Sequence, residues 1–303
     1  MGYRVGRVLG QGGNAVVYDA VDRRTHQRVA LKVLSSTHHD RLAAARLGRE
    51  ARTGGAIRHP NVCATLDAGT LEDGRAFVAM ERLEGESLRH VLVRDGRLEP
   101  EQALEIAVQI LAGLQAAHDH GVIHRDVKPE NVFLHRESGR VTVKLLDFGA
   151  CRKIDLAADS QPLTLTGFVV GTPGYLSPEQ AYGERDLDAR ADLFAVGLIL
   201  FEALTGRPGF LGRTNDELMN GVHVRVPRVS QYRTVYPMLD AIIAKATEPD
   251  VRHRYATAGQ MMHDLLEART AMRRAGSHAS KVKAAPPVQA SDSWELPTQR
   301  YVA

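Results

Sequence analysis

The chain has 303 residues, of which 44% are hydrophobic and 25% are charged, which is the composition of an ordinary folded protein. Its formal net charge of +3 arises in residues 271–303, so the remainder is formally neutral and does not suggest a nucleic-acid-binding surface. The two cysteines, Cys63 and Cys151, are too few for a disulfide framework and lack zinc-binding spacing, which fits a reducing compartment. Neither a secretory signal pattern nor a bilayer-length apolar stretch is visible, so we expect a cytoplasmic chain.

The predicted elements change in type along the chain. Residues 3–34 alternate in polarity around a glycine cluster, which predicts three antiparallel strands. Residues 40–57 have helical spacing, and residues 75–80 are apolar enough for another strand. Pro100 suits the first turn of a long helix that Gly121 would end. A β-rich half followed by a larger helical half predicts an α+β chain with a hinge, and further helices are expected at residues 190–204, 238–245 and 258–271.

The end of the chain has a different composition. Residues 272–303 contain alanine, serine, paired prolines and scattered charge without periodicity, which predicts disorder. Trp294 lies in this tail, and a solvated end is the preferred interpretation over a docking segment. The predicted division is a first lobe at 1–82, a second lobe at 83–270 and a basic tail at 271–303.

A glycine-rich segment, Gly10-Gln11-Gly12-Gly13-Asn14-Ala15, lies between the first two predicted strands. Glycines let backbone N–H groups approach phosphate oxygens without an intervening side chain. By itself the pattern is also typical of a simple hairpin turn. Its position between strands argues against a dinucleotide-binding fold, in which the glycines lead into a helix.

Lys32 ends the string Ala30-Leu31-Lys32 in the third predicted strand and is expected to point into the interior, where an ammonium group needs an anionic partner. Glu50 is the only acidic residue within residues 41–58, so it is the candidate partner. The alternative is a surface pair between Glu50 and a neighbouring arginine of the same helix, worth only about 0.3–0.5 kcal/mol.

Two strings carry the strongest chemical signal, and both resemble the signature of protein kinases: His124-Arg125-Asp126-Val127-Lys128-Pro129-Glu130-Asn131 and, beyond a stretch long enough for a β-hairpin, Asp147-Phe148-Gly149. The resemblance implies that Asp126 orients a substrate hydroxyl and accepts its proton, and that Lys128 neutralises charge on the transferred phosphoryl group. Asn131 and Asp147 are the implied magnesium ligands. The nearby histidines (His118, His120 and His124) could suggest a metal site, but a capped helix end is the simpler interpretation.

Over residues 3–270 the chain resembles the eukaryotic-like, or Hanks-type, serine/threonine protein kinases of bacteria. Its further motifs are His59-Pro60-Asn61, Met80-Glu81-Arg82-Leu83, the string from Gly171 to Glu179, Asp192 and Arg254. The resemblance implies a bilobal α+β fold with a small antiparallel lobe, a larger helical lobe and an ATP cleft between them. It also implies a buried Glu179–Arg254 ion pair and an anchoring of the catalytic loop by Asp192.

The same resemblance implies the nucleotide site. Met80 is the expected gatekeeper, Val17 would cover the adenine ring, and the backbones of Glu81 and Leu83 would hydrogen-bond adenine. The full implied set for ATP is Gly10, Gln11, Gly12, Gly13, Asn14, Val17, Ala30, Lys32, Glu50, Met80, Glu81 and Leu83. Ala15 departs from the family pattern, which has a third glycine there. The implied cofactors are ATP and Mg²⁺, with Mn²⁺ as an alternative metal.

The segment between Gly149 and Glu179 is long, and that length predicts function or disorder. It contains Thr164 and Thr166, which resemble the autophosphorylated threonines of the family. Arg125 would bind the added phosphate and so order the segment. The alternative is a pair of solvated loop threonines. Thr172 favours a serine/threonine kinase over a tyrosine kinase, and Cys151 is expected to be a buried, inert thiol.

Three functions compete at this point. The first is an active protein kinase whose partners are ATP and proteins bearing serine or threonine. The second is a pseudokinase acting as a nucleotide-binding scaffold, although Lys32, Asp126, Asn131 and Asp147 are all present. The third is a small-molecule phosphotransferase, against which the long segment before Glu179 argues. A homodimer through the first lobe is a further expectation from the family.

Overall fold

The computed structural model describes residues 2–12, 15–35, 47–48, 55–148, 152–153, 173–184, 186–210 and 225–279. Its strands are β1 (Tyr3–Gln11), β2 (Ala15–Asp22), β3 (Arg28–Leu34), β4 (Thr65–Thr70), β5 (Ala76–Glu81), β6 (Gly85–Ser87), β7 (Val122–Ile123), β8 (Val132–Glu137), β9 (Arg140–Leu145) and β10 (Arg152–Lys153). Its helices are α1 (Leu88–Asp95), α2 (Pro100–Asp119), α3 (Pro178–Ala181), α4 (Arg190–Thr205), α5 (Pro237–Ala246) and α6 (Ala258–Ala279).

The first lobe is a five-stranded antiparallel sheet in the order β1-β2-β3-β5-β4. The three predicted strands of residues 3–34 and the strand after residue 75 are confirmed. The sheet packs its apolar side around Leu31 and Ala79, which are fully buried. Strand β4 is absent from the sequence-based prediction because it is an exposed edge strand that contains Asp67 and Gly69 and lacks a buried apolar face.

The second lobe is helical and has one continuous hydrophobic core. Helix α4 forms its centre, since its residues from Ala191 to Thr205 are buried around the whole helix. Helix α2 begins at Pro100, as predicted, and packs against both α4 and α6. One lobe is built on an antiparallel sheet and the other mainly on helices, which confirms the predicted α+β class.

Between the two lobes, the strands β8 and β9 form the hairpin expected between the two signature strings. β6 pairs with β8 on the other side and makes a three-stranded sheet. Val62 forms a parallel bridge to Leu145, so the hairpin also contacts the segment before β4. The hairpin therefore fixes where residues 131 and 147 stand at its two ends.

Helix α6 ends at Ala279, later than the predicted end at residue 271, so the expectation of disorder is wrong for residues 272–279. Met272 packs against the core and Arg273 forms an ion pair with Glu101 of α2, and these contacts stabilise the additional turns. Residues 280–303, including Trp294, lie outside the described residues. Most of the helix predicted for residues 40–57 does so as well. Within the described ranges, no helix is both long and apolar enough to cross a membrane.

Candidate active site

Asp126, Lys128 and Asn131 form one cluster in the loop between β7 and β8. Lys128 Nζ lies 2.8 Å from Asp126 Oδ2. The Asn131 amide nitrogen donates to both the main-chain oxygen of Asp126 at 2.8 Å and its Oδ2 at 3.0 Å. These contacts leave Oδ1 of Asp126 without a hydrogen-bond partner among the described residues. They also leave the side-chain oxygen of Asn131 as its remaining acceptor.

Asp192, in the first turn of α4, anchors the loop between β7 and β8. Its Oδ2 accepts from the main-chain N–H of His124 at 2.9 Å, and its Oδ1 accepts from the N–H of Arg125 at 2.8 Å. His118 Nε2 lies 2.8 Å from Oδ2. Burial alone would raise the pKa of the Asp192 carboxyl, but hydrogen bonding and the charges of the two histidines outweigh it, so the pKa lies below its usual value. The predicted anchoring role of Asp192 is confirmed.

The backbone is strained where the loop turns. Arg125 has φ = 67° and Asp147 has φ = 59°, a region that non-glycine residues rarely adopt. At Arg125 the conformation is held by Asp192 and by the Gln180 amide, which donates to the Arg125 carbonyl at 2.7 Å. A strained backbone conformation persists only where contacts with the surrounding structure hold it in place, and such conformations are frequent at functional sites.

Asp147 stands at the end of the hairpin beside the catalytic loop. Leu146, which precedes it, donates its N–H to the Asn131 carbonyl at 2.9 Å and accepts from His124 Nε2 at 2.8 Å. Lys32 of β3 forms an ion pair with the Asp147 carboxylate, which is 43% exposed. The main-chain bond between Leu146 and Asn131 therefore brings the Lys32–Asp147 ion pair next to the loop that carries Asp126 and Lys128.

The histidines take part in this framework without forming a metal site. His124 and His118 bond to Leu146 and Asp192 as described, and His120 Nδ1 lies 2.8 Å from the Ala116 carbonyl. Within the described residues, no group of three or more histidine, cysteine or acidic side chains is arranged to hold a metal. His120 ends α2, and its contact with the Ala116 carbonyl agrees with the capped helix end expected from the sequence.

Several of the predicted nucleotide residues lie on strands β1, β2, β3 and β5 of the first lobe. Val17 is paired with Lys32 across β2 and β3, and Ala30 is paired with Met80 across β3 and β5. At Gly10 an added Cβ would meet no atom within 4 Å, so the strand faces open space there. Gln11 is the last residue of β1, and the N–H of the following Gly12 donates to the Ala15 carbonyl at 2.9 Å.

The connection between the lobes begins at Glu81. The contacts of its side chain were not expected from the sequence. Its N–H already donates to the Ala64 carbonyl at 2.9 Å. Its side chain accepts from the Ala64 N–H at 2.7 Å and from Lys144 Nζ at 2.7 Å. Because Lys144 belongs to β9, this carboxylate ties the sheet of the first lobe to the hairpin of the second. Leu83, two residues on, is buried.

The predicted buried pair Glu179–Arg254 is confirmed. Arg254 Nη1 and Nη2 lie 2.7 and 2.8 Å from the two oxygens of Glu179, and the arginine side chain is fully buried. The pair joins the segment before α4 to the turn before α6. It fixes α3, whose Gln180 supports the catalytic loop.

A second ionic network, which sequence reasoning missed, joins four parts of the second lobe. Arg89 contacts Glu130, Glu202 and Tyr175, and Tyr175 also donates to Glu202. Burial alone would lower the pKa of Arg89, but Tyr175 and the two carboxylates raise it above its usual value. Burial, with Glu202 beside it, raises the pKa of Tyr175. An arginine at the start of a short helix resembles any surface residue, so the sequence carries no signal for this network.

Six of the predicted site residues lie outside the described residues, and their expected roles stay predictions: Gly13, Asn14, Glu50, Thr164, Thr166 and Thr172. Gly149 and Cys151 do so as well. The described partner of Lys32 is Asp147, and the expected Lys32–Glu50 pair is not tested by this contact.

Comparison with known proteins agrees with this arrangement. Residues 3–283 match the protein kinase domain family. The chain is 38% identical to the serine/threonine-protein kinase PknB of Mycobacterium leprae over 271 residues, covering 87% of this chain and 42% of that protein. It is 44% identical to the serine/threonine-protein kinase pkn3 of Myxococcus xanthus over 206 residues, covering 67% of this chain and 38% of that protein. The chain thus spans less than half the length of these curated relatives.

Among solved structures, the kinase domain of PknI from Mycobacterium tuberculosis superposes with a TM-score of 0.69 at 26% identity, covering 88% of this chain and 96% of that one. This likeness confirms the bilobal kinase fold. Kinases of this family use ATP and a divalent cation and act on protein substrates. The chain belongs to the protein kinase domain family and, within it, to the Hanks-type serine/threonine kinases of bacteria.

Proposed function

We propose that this chain is an active, ATP-dependent serine/threonine protein kinase that transfers the γ-phosphoryl group to hydroxyls of protein substrates. The observation that carries the proposal is that the ion pair of Lys32 and Asp147 lies next to the loop in which Lys128 and Asn131 contact Asp126. A pseudokinase scaffold is the weaker alternative, because it gives no reason to retain all five of these groups.

We assign Mg²⁺ as the metal, held by Asp147 and Asn131. The fit rests on donor chemistry: the Asn131 amide nitrogen is committed to Asp126, so its oxygen is the group left for a cation. A carboxylate and an amide oxygen suit a hard cation, and Mn²⁺ is the alternative. When bound, the metal would neutralise charge on the phosphates. Lys32 would then move from the Asp147 carboxylate towards the phosphate oxygens or Glu50.

For the nucleotide, we place adenine between Val17 and Ala30, next to Met80 and the backbone of residues 81–83. Because the Glu81 N–H is bonded to Ala64, its carbonyl is the group left for adenine, together with the backbone of Leu83. The phosphates would lie beneath Gly10, Gln11, Gly12, Gly13 and Asn14, where a Cβ at Gly10 would meet open space.

In the reaction we propose, the substrate oxygen attacks the γ-phosphorus as the bond to the β,γ-bridging oxygen breaks and ADP leaves. Asp126 Oδ1 accepts the hydroxyl proton, since Oδ2 is occupied by Lys128 and Asn131. Lys128 lies within reach of both the base and the transferred group and stabilises its negative charge. Positioning and charge stabilisation account for catalysis.

The test is the transfer of labelled phosphate from ATP to the protein itself and to a generic basic protein substrate. Asp126→Asn, Lys32→Met and Asp147→Asn should each lower the rate by more than about 100-fold while leaving the thermal unfolding temperature nearly unchanged. A wild-type protein that binds Mg·ATP but transfers no phosphate would instead establish the scaffold alternative.

We further propose that Thr164 or Thr166, with Thr166 preferred, is phosphorylated by the protein itself, and that Arg125 is the partner of the phosphate. The Arg125 backbone is fixed from two sides, so its side chain projects from an ordered position. Intact-mass measurement of the wild type and Lys32→Met decides the point. Masses that differ only by the substitution itself would exclude autophosphorylation, and Thr172 serves as a comparison site in peptide mapping.

The lobes are proposed to divide at residues 82 and 83, so that nucleotide binding closes 1–82 onto 83–270. A homodimer through the first lobe belongs to the same proposal. Sedimentation of the wild-type chain over a concentration series would measure it, and a single monomeric species at all concentrations would argue against it.

A further inference from the structure

Gln180, the third residue of α3, contacts two separate segments of the second lobe through the two ends of its amide. Its oxygen accepts from the main-chain N–H of Ser177 at 3.1 Å and from the Ser177 hydroxyl at 3.2 Å. Its nitrogen donates to the main-chain carbonyl of Arg125 at 2.7 Å. A primary amide has an acceptor end and a donor end. Here the acceptor end serves the beginning of α3 and the donor end serves the catalytic loop.

The peptide group between Arg125 and Asp126 leads directly into the proposed proton acceptor. Its carbonyl is the one that Gln180 binds, while its N–H lies 3.4 Å from His124 Nδ1, a long and therefore weak contact. The preceding peptide group is bound by Asp192, which accepts from the Arg125 N–H at 2.8 Å. Arg125 has φ = 67°, where an arginine is strained. Asp192 and Gln180 therefore hold the two peptide groups on either side of this strained residue.

The contacts on the far side of Asp126 support a different part of that residue. Asn131 binds its main-chain carbonyl and its Oδ2, and Lys128 also contacts Oδ2. The direction of the Cα–Cβ bond, and with it the direction of Oδ1, depends as well on the peptide group that enters Asp126. If that peptide group rotates and relieves the strain at Arg125, Oδ1 turns away from the position in which it accepts the substrate proton.

The segment that carries Gln180 is firmly placed. Ser177 is fully buried, and Glu179, directly before Gln180, forms the buried ion pair with Arg254. Gln180 also lines the same small cleft as Asp126. The side chain therefore connects an anchored segment to the backbone of the residue that must be oriented for catalysis.

We propose that Gln180 is a positioning residue for the proton acceptor: its amide holds the peptide group between Arg125 and Asp126 and so fixes the direction of the Asp126 carboxylate. For its effect on the rate, this inference rests on the proposed kinase function. Its structural part, the dependence of the catalytic loop on the Gln180 amide, can be measured without phosphate transfer.

The experiment compares the wild type with Gln180→Met, Gln180→Glu and the control Ser177→Ala. Methionine removes both ends of the amide contact. Glutamate keeps an oxygen acceptor for Ser177 but has no donor for the Arg125 carbonyl. Ser177→Ala removes the hydroxyl and keeps the N–H, so it weakens only the contact with the beginning of α3. For each protein we would measure kcat and the KM for ATP with a generic basic protein substrate, and amide hydrogen exchange by mass spectrometry over residues 122–128 and 177–183.

We expect kcat to fall about 10- to 100-fold in both Gln180 variants, because a small misplacement of a catalytic group is costly. The KM for ATP should stay within about twofold of the wild-type value, since no contact of the proposed nucleotide site is changed. Exchange over residues 122–128 should accelerate by up to about tenfold in both variants, the effect of one hydrogen bond. Exchange over residues 177–183 should accelerate in Gln180→Met and stay nearly unchanged in Gln180→Glu. Ser177→Ala should keep kcat within about threefold of the wild-type value.

Two results would overturn the inference: a wild-type kcat in folded Gln180→Glu, or unchanged exchange over residues 122–128 in both Gln180 variants. Either result would mean that Gln180 only supports the beginning of α3. A wild type that transfers no phosphate would instead refute the proposed function, and the exchange rates would still decide whether Gln180 holds the catalytic loop.

Discussion

Replacing Asp192 by asparagine tests whether one buried carboxylate holds the catalytic loop. The carboxylate is 1% exposed and accepts from two main-chain N–H groups, at 2.9 and 2.8 Å, and from His118. Asparagine keeps one oxygen and turns an NH₂ group towards the other donor, so at least one charge-assisted bond is lost and two donors face each other. With about 1.5–3 kcal/mol for such a bond and a further penalty for the unsatisfied group, we expect a loss of about 3 kcal/mol.

Urea unfolding followed by far-UV circular dichroism measures this loss, with Asp119→Asn as the control. Asp119 is an exposed carboxylate whose one hydrogen bond among the described residues comes from Gln115, so its replacement should change the free energy of unfolding by less than about 0.5 kcal/mol. A loss below about 1 kcal/mol for Asp192→Asn would refute the argument, since it would mean that the loop does not depend on this carboxylate.

The lowered pKa of Asp192 also predicts how the destabilisation caused by Asp192→Asn depends on pH. The pKa of Asp192 in the folded protein lies below its unfolded value, so its stabilising contribution is complete above the unfolded pKa of about 4 and is lost as the pH falls through the folded pKa. The difference in unfolding free energy between wild type and Asp192→Asn should therefore be constant from pH 7 to about pH 5 and shrink below about pH 4. A difference that grows on acidification would contradict the assigned direction.

Four further substitutions have expected outcomes. Arg254→Met leaves the Glu179 carboxylate buried without its partner and should cost about 3–5 kcal/mol by urea unfolding; a cost below about 1 kcal/mol would contradict the buried pair. Gly206→Ala and Gly121→Ala both place a side chain at positive φ, but only at Gly206 would the Cβ meet a main-chain oxygen, at 2.8 Å. We expect about 1 kcal/mol for Gly121→Ala and at least about twice that for Gly206→Ala in thermal unfolding, and equal costs would refute the contact. Arg273→Ala breaks an exposed ion pair and should cost less than about 1 kcal/mol; a larger cost would show that the last turns of α6 support the core.

The parts of this protein that the sequence predicted are those that depend on local patterns. Alternation over residues 3–34 and the apolar face of α2 are each set by neighbours along the chain, and the structure has both elements. The signature strings likewise place Asp126, Lys128 and Asn131 within one loop, where their mutual contacts follow from a short separation. The resemblance to a known family supplied the long-range pair Glu179–Arg254, which residue patterns alone do not reveal.

What could not be predicted depends on contacts between distant segments. Arg89 and Glu202 are far apart in sequence, and each taken alone resembles a solvated charge. The same holds for Glu81 and Lys144, which connect the two lobes. The end of α6 was misplaced because its last turns contain no regular apolar stripe. Their stabilisation comes from α2, which a one-dimensional pattern does not contain.

Helix α4 is buried along nearly its whole length, and each of its ends carries a carboxylate that anchors another part of the second lobe. Asp192, in its first turn, anchors the loop that carries Asp126, and Glu202, in its last turns, anchors the network around Arg89. Ten residues separate the two carboxylates, about 15 Å along a helix axis. One buried helix thus supports both places, so a substitution that shifts this helix should disturb the catalytic loop and the Arg89 network together.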